Sequence, residues 1–202
     1  VSTGFMDLDW YTAGFQAGDL IILAARPGMG KTAFACNSIA NAAEDGFKCG
    51  LISLEMVRGQ IGNRFLAMRS MIVALKFRSG RFSAGDFDNM VSAADQISKL
   101  GIWVDDTPRA SYHDCEVKLR DLVRNKGGKF AVIDYLGFMD GDKDVNKVNE
   151  VQSITRALKA QAKEFGIPIV LICQLSRECE KRPNKRPILS DLRDSGAIEQ
   201  DA

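Results

Sequence analysis

The run Ala25-Arg26-Pro27-Gly28-Met29-Gly30-Lys31-Thr32 has the residue types and spacing that grip a chain of phosphates. Gly28 and Gly30 let the backbone turn so that successive N–H groups point at one anion. A helix beginning at once behind them adds the positive end of its dipole. Lys31 is placed to reach the β- and γ-phosphates of a nucleoside triphosphate, and the Thr32 hydroxyl to ligate Mg²⁺. Pro27, Gly28, Met29, Gly30, Lys31, Thr32 and Ala33 are therefore the expected nucleotide contacts. The first glycine of the usual pattern is Ala25 here, which a negative φ would tolerate. A glycine-rich turn that binds nothing is the alternative.

A triphosphate site also needs an acidic residue at the end of a neighbouring strand, to hold Mg²⁺ through its water shell. Ala131-Val132-Ile133-Asp134 supplies one, and Ser53-Leu54-Glu55-Met56 brings a second carboxylate to another strand end. Glu55 is suited to orient and deprotonate an attacking water. The rival readings are a strand-end cap for Asp134 and a helix start for Glu55. In Ile172-Cys173-Gln174 an uncharged amide ends a strand where a γ-phosphate would lie, so Gln174 is a candidate sensor of hydrolysis; otherwise it is a solvated loop residue. Asp105 and Asp106 read as turn formers. His113, the only histidine, receives no catalytic role, and Trp10 and Trp103 are read as packing residues.

Three positions after Gln174, residues 177–193 place six basic side chains (Arg177, Lys181, Arg182, Lys185, Arg186, Arg193) against three acidic ones. With two prolines and few apolar residues, the segment reads as an exposed loop. Arg177, Lys185 and Arg186 are its candidates for holding a nucleic-acid backbone with little sequence preference. A merely solvated surface has the same composition.

These residues need rigid elements behind them. Strands are expected at 19–25, 49–54, 101–104, 130–134 and 169–173, and helices at 31–45, 57–74, 83–100, 111–125 and 148–164. Ser83 has the look of an N-cap, and Gly101 and Gly127-Gly128 close helices. Strands that alternate with helices of ten or more residues imply parallel β-α-β units with right-handed crossovers. Their apolar runs hardly alternate, as strands covered on both faces require. The expected architecture is α/β, an open, mostly parallel sheet with helices on both faces. Residues 141–149 and 177–187 read as polar, mobile stretches.

The whole chain of 202 residues suits one domain, and 46% hydrophobic with 26% charged residues excludes disorder and fibrous classes. Lys plus Arg number 27 and Asp plus Glu 26, so no global positive field draws in nucleic acid and any such binding must be local. The longest apolar run, Leu20–Ala25, is far short of the ~20 residues that span a bilayer, and no membrane role is expected. The N-terminus carries no signal pattern and no initiator Met, which suggests a piece of a longer chain. Five cysteines, an odd number without a Cys-x-x-Cys pair, argue against disulfides and zinc and for a reducing cytoplasm.

Taken together, the motifs resemble the DnaB family of bacterial and phage replicative helicases, specifically their RecA-like motor domain. The matching residues are the 25–32 loop, Ser53-Leu54-Glu55-Met56, Val132-Ile133-Asp134-Tyr135-Leu136 and Gln174-Leu175-Ser176-Arg177. To these are added Lys185-Arg186-Pro187 and Ser190-Asp191-Leu192-Arg193-Asp194-Ser195-Gly196, continuing to Ile198-Glu199-Gln200-Asp201-Ala202. The last block is the most specific, since many NTPases share the phosphate loop. The resemblance implies a RecA-like P-loop NTPase fold and a homo-hexameric ring. Such a ring hydrolyses ATP with Mg²⁺ at subunit interfaces and pulls single-stranded DNA through its centre, 5′ to 3′, to unwind duplex DNA in replication.

By that likeness Lys31 and Thr32 bind phosphate and metal, Asp134 supports the metal, Glu55 is the catalytic carboxylate and Gln174 senses the γ-phosphate. Arg193, Asp194 and Gly196 belong to a central-channel loop on the DNA backbone, although relatives usually carry Glu where Asp194 stands. The likeness further implies a primase and a helicase loader as partners, and the cytoplasm, or a host's cytoplasm for a phage protein, as the setting. Members continue past this point into strands bearing an arginine finger and carry an amino-terminal collar. The 202 residues by themselves are therefore expected to bind nucleotide but hydrolyse it poorly. Two other functions remain open on the residues alone: a filament-forming recombination ATPase of the RecA and RadA type, and a nucleotide-dependent DNA-binding scaffold that does not translocate.

Overall fold

Apolar runs without alternation must be covered twice, and the chain does this by winding helices over both faces of one sheet. The computed structural model describes residues 1–108, 110–134, 137, 139–140 and 147–192. Strands β1 (Leu20–Ala25), β2 (Cys49–Ser53), β3 (Ile102–Asp105), β5 (Phe130–Asp134) and β7 (Ile169–Gln174) form a five-stranded sheet in the order β1-β7-β5-β2-β3, and every pairing is parallel. A separate two-residue parallel ladder joins β4 (Ala110–Ser111) to β6 (Met139–Asp140). The five main strands start and stop within a residue or so of their expected limits.

Helices α2 (Lys31–Glu44) and α3 (Arg58–Ser70) cover one face, and α6 (Tyr112–Arg124) and α7 (Lys147–Phe165) the other. The pleat divides each strand between two cores. Phe130 and Val132 face the α2 side while Ala131 and Ile133 face α6 and α7. Helix α2 packs closely because its buried face is small: Ala35, Cys36, Ile39, Ala42 and Ala43. On the opposite face Leu122 of α6 sits in a socket made by two glycines. A Cβ on Gly50 or on Gly128 would lie 2.4 Å from a Leu122 carbon.

Two elements depart from expectation. The single helix expected at 57–74 is α3 followed by α4 (Ala74–Ser79), broken at Met71, which takes φ 56°. That left-handed turn drives Ile72 into the interior, where it is 7% exposed, so burial outweighs helix continuity. A short helix, α1 (Met6–Thr12), precedes β1 and buries none of its residues. Trp10 on it is 85% exposed, correcting its reading as a packing residue, whereas Trp103 packs against the α6–α7 core under the Lys126 ammonium. Helix α5 (Ala84–Ser98) begins as expected at Ser83, whose N–H donates to the Asp86 carboxylate. Helix α7 starts at Lys147, one residue before the expected helix, and takes in the end of the 141–149 stretch. The five cysteines are free and buried, and burial pushes the thiols of Cys36, Cys49, Cys115 and Cys173 up to about 12.

Candidate active site

Parallel strands all deliver their carboxyl ends to one edge of the sheet, and crevices there are where α/β folds bind ligands. The register makes that edge level: Ala25 pairs with Gln174, and Ser53 with Asp134. Two hydrogen bonds carry the pairing one residue further, from Leu175 N–H to the Ala25 carbonyl at 3.2 Å and from Leu54 N–H to the Asp134 carbonyl at 2.6 Å. The phosphate-loop residues, Glu55 and Gln174 thereby open onto one cleft of about 360 Å³, lined by Pro27, Gly28, Gly30, Lys31, Thr32, Ala33, Glu55, Met56, Arg64 and Gln174.

The loop itself has the conformation its glycines permit. Gly28 takes φ 77° and Gly30 φ 93°, and Gly30 is the N-cap of α2. A side chain at either would be strained in that left-handed region. Ala25 lies within β1 and is not among the described residues of positive φ, so a methyl group is tolerated where the pattern usually has glycine. The Lys31 ammonium donates to the carbonyls of Ala25 at 3.3 Å and Arg26 at 3.5 Å, folding over the loop. Met29 stands at the tip, 73% exposed.

At the base of the cleft the Thr32 hydroxyl donates to the Asp134 carboxylate at 2.8 Å across 102 residues of chain. Asp134 is 1% exposed. Burial holds its carboxyl above the ordinary carboxylate range; the Thr32 hydrogen bond opposes the rise, Glu55 adds to it, and Lys31 and Arg64 oppose it. Glu55 itself is exposed in the turn after β2. Ser53 braces that turn, its hydroxyl donating to the Met56 carbonyl at 2.8 Å and accepting from the Met56 N–H at 3.1 Å. Gln174 is exposed at the end of β7. Asp105 is the last residue of β3 and Asp106 follows it, so the reading of both as turn formers is corrected for Asp105: it accepts from the Thr107 N–H and pairs with Lys118, while Asp106 accepts from the Arg58 N–H and so caps α3.

Sequence reasoning missed two arginines. Arg64 belongs to a basic, apolar-spaced stretch whose period signalled a helix but not which arginine would face the cleft. Arg26 lies in the phosphate loop and ties it to the segment after β7, its Nη1 donating to the Leu175 carbonyl at 3.0 Å and its Nε to Glu180 at 2.6 Å.

The basic segment is braced, which corrects its reading as a mobile stretch. Helix α8 (Glu178–Lys181) follows β7 directly. Arg182 holds both oxygens of buried Asp191 in a fork, and the Asp191 carbonyl accepts from the Ser176 N–H at 2.8 Å. An antiparallel bridge between Leu175 and Leu192 closes the loop. Arg177, Lys185 and Arg186 are exposed and form no ion pair among the described residues. Arg193, Asp194 and Gly196 lie outside the described residues, as do Tyr135, Leu136 and the rest of the block from residue 193 on.

Comparison with known proteins places the chain in a family. The family model for the DnaB-like helicase C-terminal domain matches residues 1–202. The chain is 42% identical over 205 residues to the replicative DNA helicase DnaB of Geobacillus stearothermophilus and 42% identical over 206 residues to the replicative DNA helicase DnaC of Bacillus subtilis. Both matches take in 100% of this chain and 45% of the relative, so the chain spans less than half the length of these curated proteins. Among solved structures, a DnaB-like replicative helicase described together with its interactions with primase superposes with a TM-score of 0.95 at 35% identity, covering all of this chain and 49% of that one. A second solved structure, of an ATPase domain, superposes at 0.94, also at 35% identity, over all of this chain and 73% of that one. These matches favour the replicative-helicase reading over the recombination ATPase and the scaffold. The chain belongs to the DnaB-like helicase C-terminal domain family.

Proposed function

We propose that residues 1–202 act as the motor domain of a replicative DNA helicase, in which ATP hydrolysis in the cleft drives 5′-to-3′ movement on single-stranded DNA and unwinding of the duplex. The observation that carries this reading is the meeting of Lys31, Thr32, Glu55 and Gln174 on one cleft with Asp134 at its base. The loop amides and Lys31 hold the β- and γ-phosphates and bear the charge that spreads over the terminal phosphoryl group in the transition state. The Thr32 hydroxyl and the Asp134 carboxylate, 2.8 Å apart, are hard oxygen donors of the kind that suits Mg²⁺. That ion, when bound, would supply positive charge to offset the negative charge of the phosphates.

Glu55 orients a water in line with the γ-phosphorus and takes one of its protons. The new bond joins the water oxygen to phosphorus, and the bond to the β–γ bridging oxygen breaks. Gln174 hydrogen-bonds the terminal phosphate and loses that partner on product release. The exposed Arg177, Lys185 and Arg186 contact the DNA backbone, together with Arg193, Asp194 and Gly196. Subunits assemble as a homo-hexamer, and a primase and a loader act on the whole protein in the cytoplasm.

The decisive assay is strand displacement by the full-length protein on a fork with a 5′ tail, run with phosphate release. Lys31→Ala is expected to abolish nucleotide binding or turnover, and Glu55→Gln to keep binding while losing at least ~100-fold in hydrolysis. A Glu55→Gln protein that cycles normally would move the base elsewhere. Wild-type hydrolysis without any displacement would favour the scaffold.

A further inference from the structure

Arg26 belongs to the phosphate loop, yet its side chain does not line the cleft. Its guanidinium is committed to the segment beyond β7, where Nη1 donates to the Leu175 carbonyl at 3.0 Å and Nε to the Glu180 carboxylate of α8 at 2.6 Å. Its own carbonyl accepts from the Met29 N–H at 3.3 Å and from the Lys31 ammonium at 3.5 Å. The neighbouring Ala25 carbonyl is shared in the same way, between Lys31 at 3.3 Å and the Leu175 N–H at 3.2 Å. The two residues that hold the Lys31 ammonium therefore also hold the start of the basic segment.

From Leu175 the bonding runs on to residue 192. The Ser176 N–H donates to the Asp191 carbonyl at 2.8 Å, Leu175 bridges Leu192, and Arg182 forks onto the Asp191 carboxylate. The loop closed in this way carries Lys185 and Arg186, and Arg177 stands at the head of α8. Among the described residues, Arg26 is the one phosphate-loop side chain that bonds to this segment. The Arg26 hydrogen bond holds the Glu180 carboxyl below its ordinary range, and Arg177 and Lys185 add a smaller pull. Stability does not account for the pair. The Arg26 side chain is 19% exposed but that of Glu180 55%, and an ion pair so open to water adds little to folding. What it fixes is position, since a planar guanidinium held by two acceptors sets α8 against the loop.

We propose that Arg26 is a positioning residue whose pair with Glu180 couples the two sites, holding the basic segment against the phosphate loop so that single-stranded DNA on the segment raises ATP turnover in the cleft. The proposal rests on reading the cleft as an ATP site and the segment as a DNA contact. Its test is phosphate release by the full-length protein with and without saturating oligo-dT. The proteins compared are wild type, Glu180→Gln, Glu180→Asp, Arg26→Gln and the Arg26→Gln/Glu180→Gln double variant. Glu180→Gln should keep the DNA-free rate and lose about 2–5-fold in stimulation by DNA, the scale of a partly exposed ion pair. Glu180→Asp, which keeps the carboxylate, should retain more of it. The double variant should lose no more stimulation than Arg26→Gln alone, because both changes break one link. A carboxylate that merely borders a DNA surface predicts the opposite. Removing its charge beside Arg177 and Lys185 would tighten oligo-dT binding and leave stimulation at saturation intact. That result, or losses that multiply in the double variant, overturns the proposal while wild type is stimulated normally. Should Arg26→Gln fail to fold, the two Glu180 variants decide alone. A wild type whose turnover ignores DNA overturns the proposal and the reading of the segment together.

Discussion

Replacing Asp134 by asparagine should separate two effects that its buried carboxylate combines. Asparagine keeps the size of the side chain and one acceptor oxygen, so the Thr32 hydroxyl can still donate across a gap that is now 2.8 Å. The charge is what disappears. Burial raises the folded-state pKa of this carboxyl, so as pH rises the unfolded chain gives up the proton first. An ionised Asp134 therefore subtracts from stability at neutral pH. Removing the charge relieves that cost, while turning the Thr32 hydrogen bond from charge-assisted to neutral forfeits about 1 kcal/mol. The two oppose each other. In a chain of this size 1 kcal/mol moves the melting point by about 2–4 °C, so Asp134→Asn should melt within about 4 °C of wild type. Asp134→Ala relieves the same charge but removes the acceptor as well. It leaves the half-buried Thr32 hydroxyl unpaired, at about 1–3 kcal/mol, and should melt roughly 2–12 °C below Asp134→Asn. Both variants should lose about 10–100-fold or more in ATP turnover, the usual cost of removing a group that orients a metal's shell. Scanning fluorimetry in EDTA without nucleotide, paired with phosphate release at saturating ATP and Mg²⁺, reads both effects. An asparagine variant that melts as low as the alanine variant would show that the charge supports the fold, and the desolvation argument would be wrong. One that turns over at the wild-type rate would remove Asp134 from the reacting phosphates.

The glycine socket and the start of α5 give two further tests. Gly50→Ala brings a Cβ to 2.4 Å from Leu122 and should destabilise by about 1–3 kcal/mol, yet cost little in a Leu122→Ala background. Urea titration of the four proteins measures that coupling, and simple additivity would mean the socket relaxes freely. Asp86 accepts from Lys76 at 2.6 Å and from the Ser83 N–H at 2.7 Å, and these bonds lower its carboxyl to about 2. A depressed folded-state pKa stabilises above the unfolded value of 3.8 and is lost as pH falls toward 2. The stability advantage of wild type over Asp86→Asn should therefore be full at pH 6 and vanish across that acidic window, and an advantage that persists at pH 2 would assign it to packing.

The parts of the fold that were legible in the sequence are those where a local signal and the tertiary outcome coincide. Runs such as Phe130–Asp134 are apolar throughout because both faces are covered, and they end where a polar side chain first appears. Helix α6 announces itself through Ser111, whose hydroxyl accepts from the Asp114 N–H at 3.1 Å. The break at Met71 had no such mark, since neither Gly nor Pro stands between Ser70 and Ala74 and only the demand for Ile72 in the core decides it. The bracing of the basic segment was equally silent. Its fork joins Arg182 to Asp191 nine residues away, a spacing with no helical or strand period. The ladder of Ala110–Ser111 with Met139–Asp140 is too short for any pattern to form.

The same logic explains why candidate site residues were easier to find than their arrangement. A doubly covered strand stays apolar nearly to its end, so β5 and β7 close on Asp134 and Gln174, and Glu55 stands two residues past Ser53 at the end of β2, each at the sheet edge where the phosphate loop begins. Strand order is another matter. Nothing in the chain's linear pattern places β7 between β1 and β5, yet that insertion sets Gln174 level with Ala25 and leaves Asp134 opposite Ser53. Sliding one strand by a single residue would exchange its two faces, sending Val132 and Val170 toward α6 and α7 and Ile133 and Leu171 toward α2. The level edge is thus held by the packing of two separate cores rather than by any residue of the site. Arg64 escaped notice for a related reason: α3 reaches the cleft only through the packing of Ile61 and Phe65, so its place there is a product of tertiary structure and not of a motif.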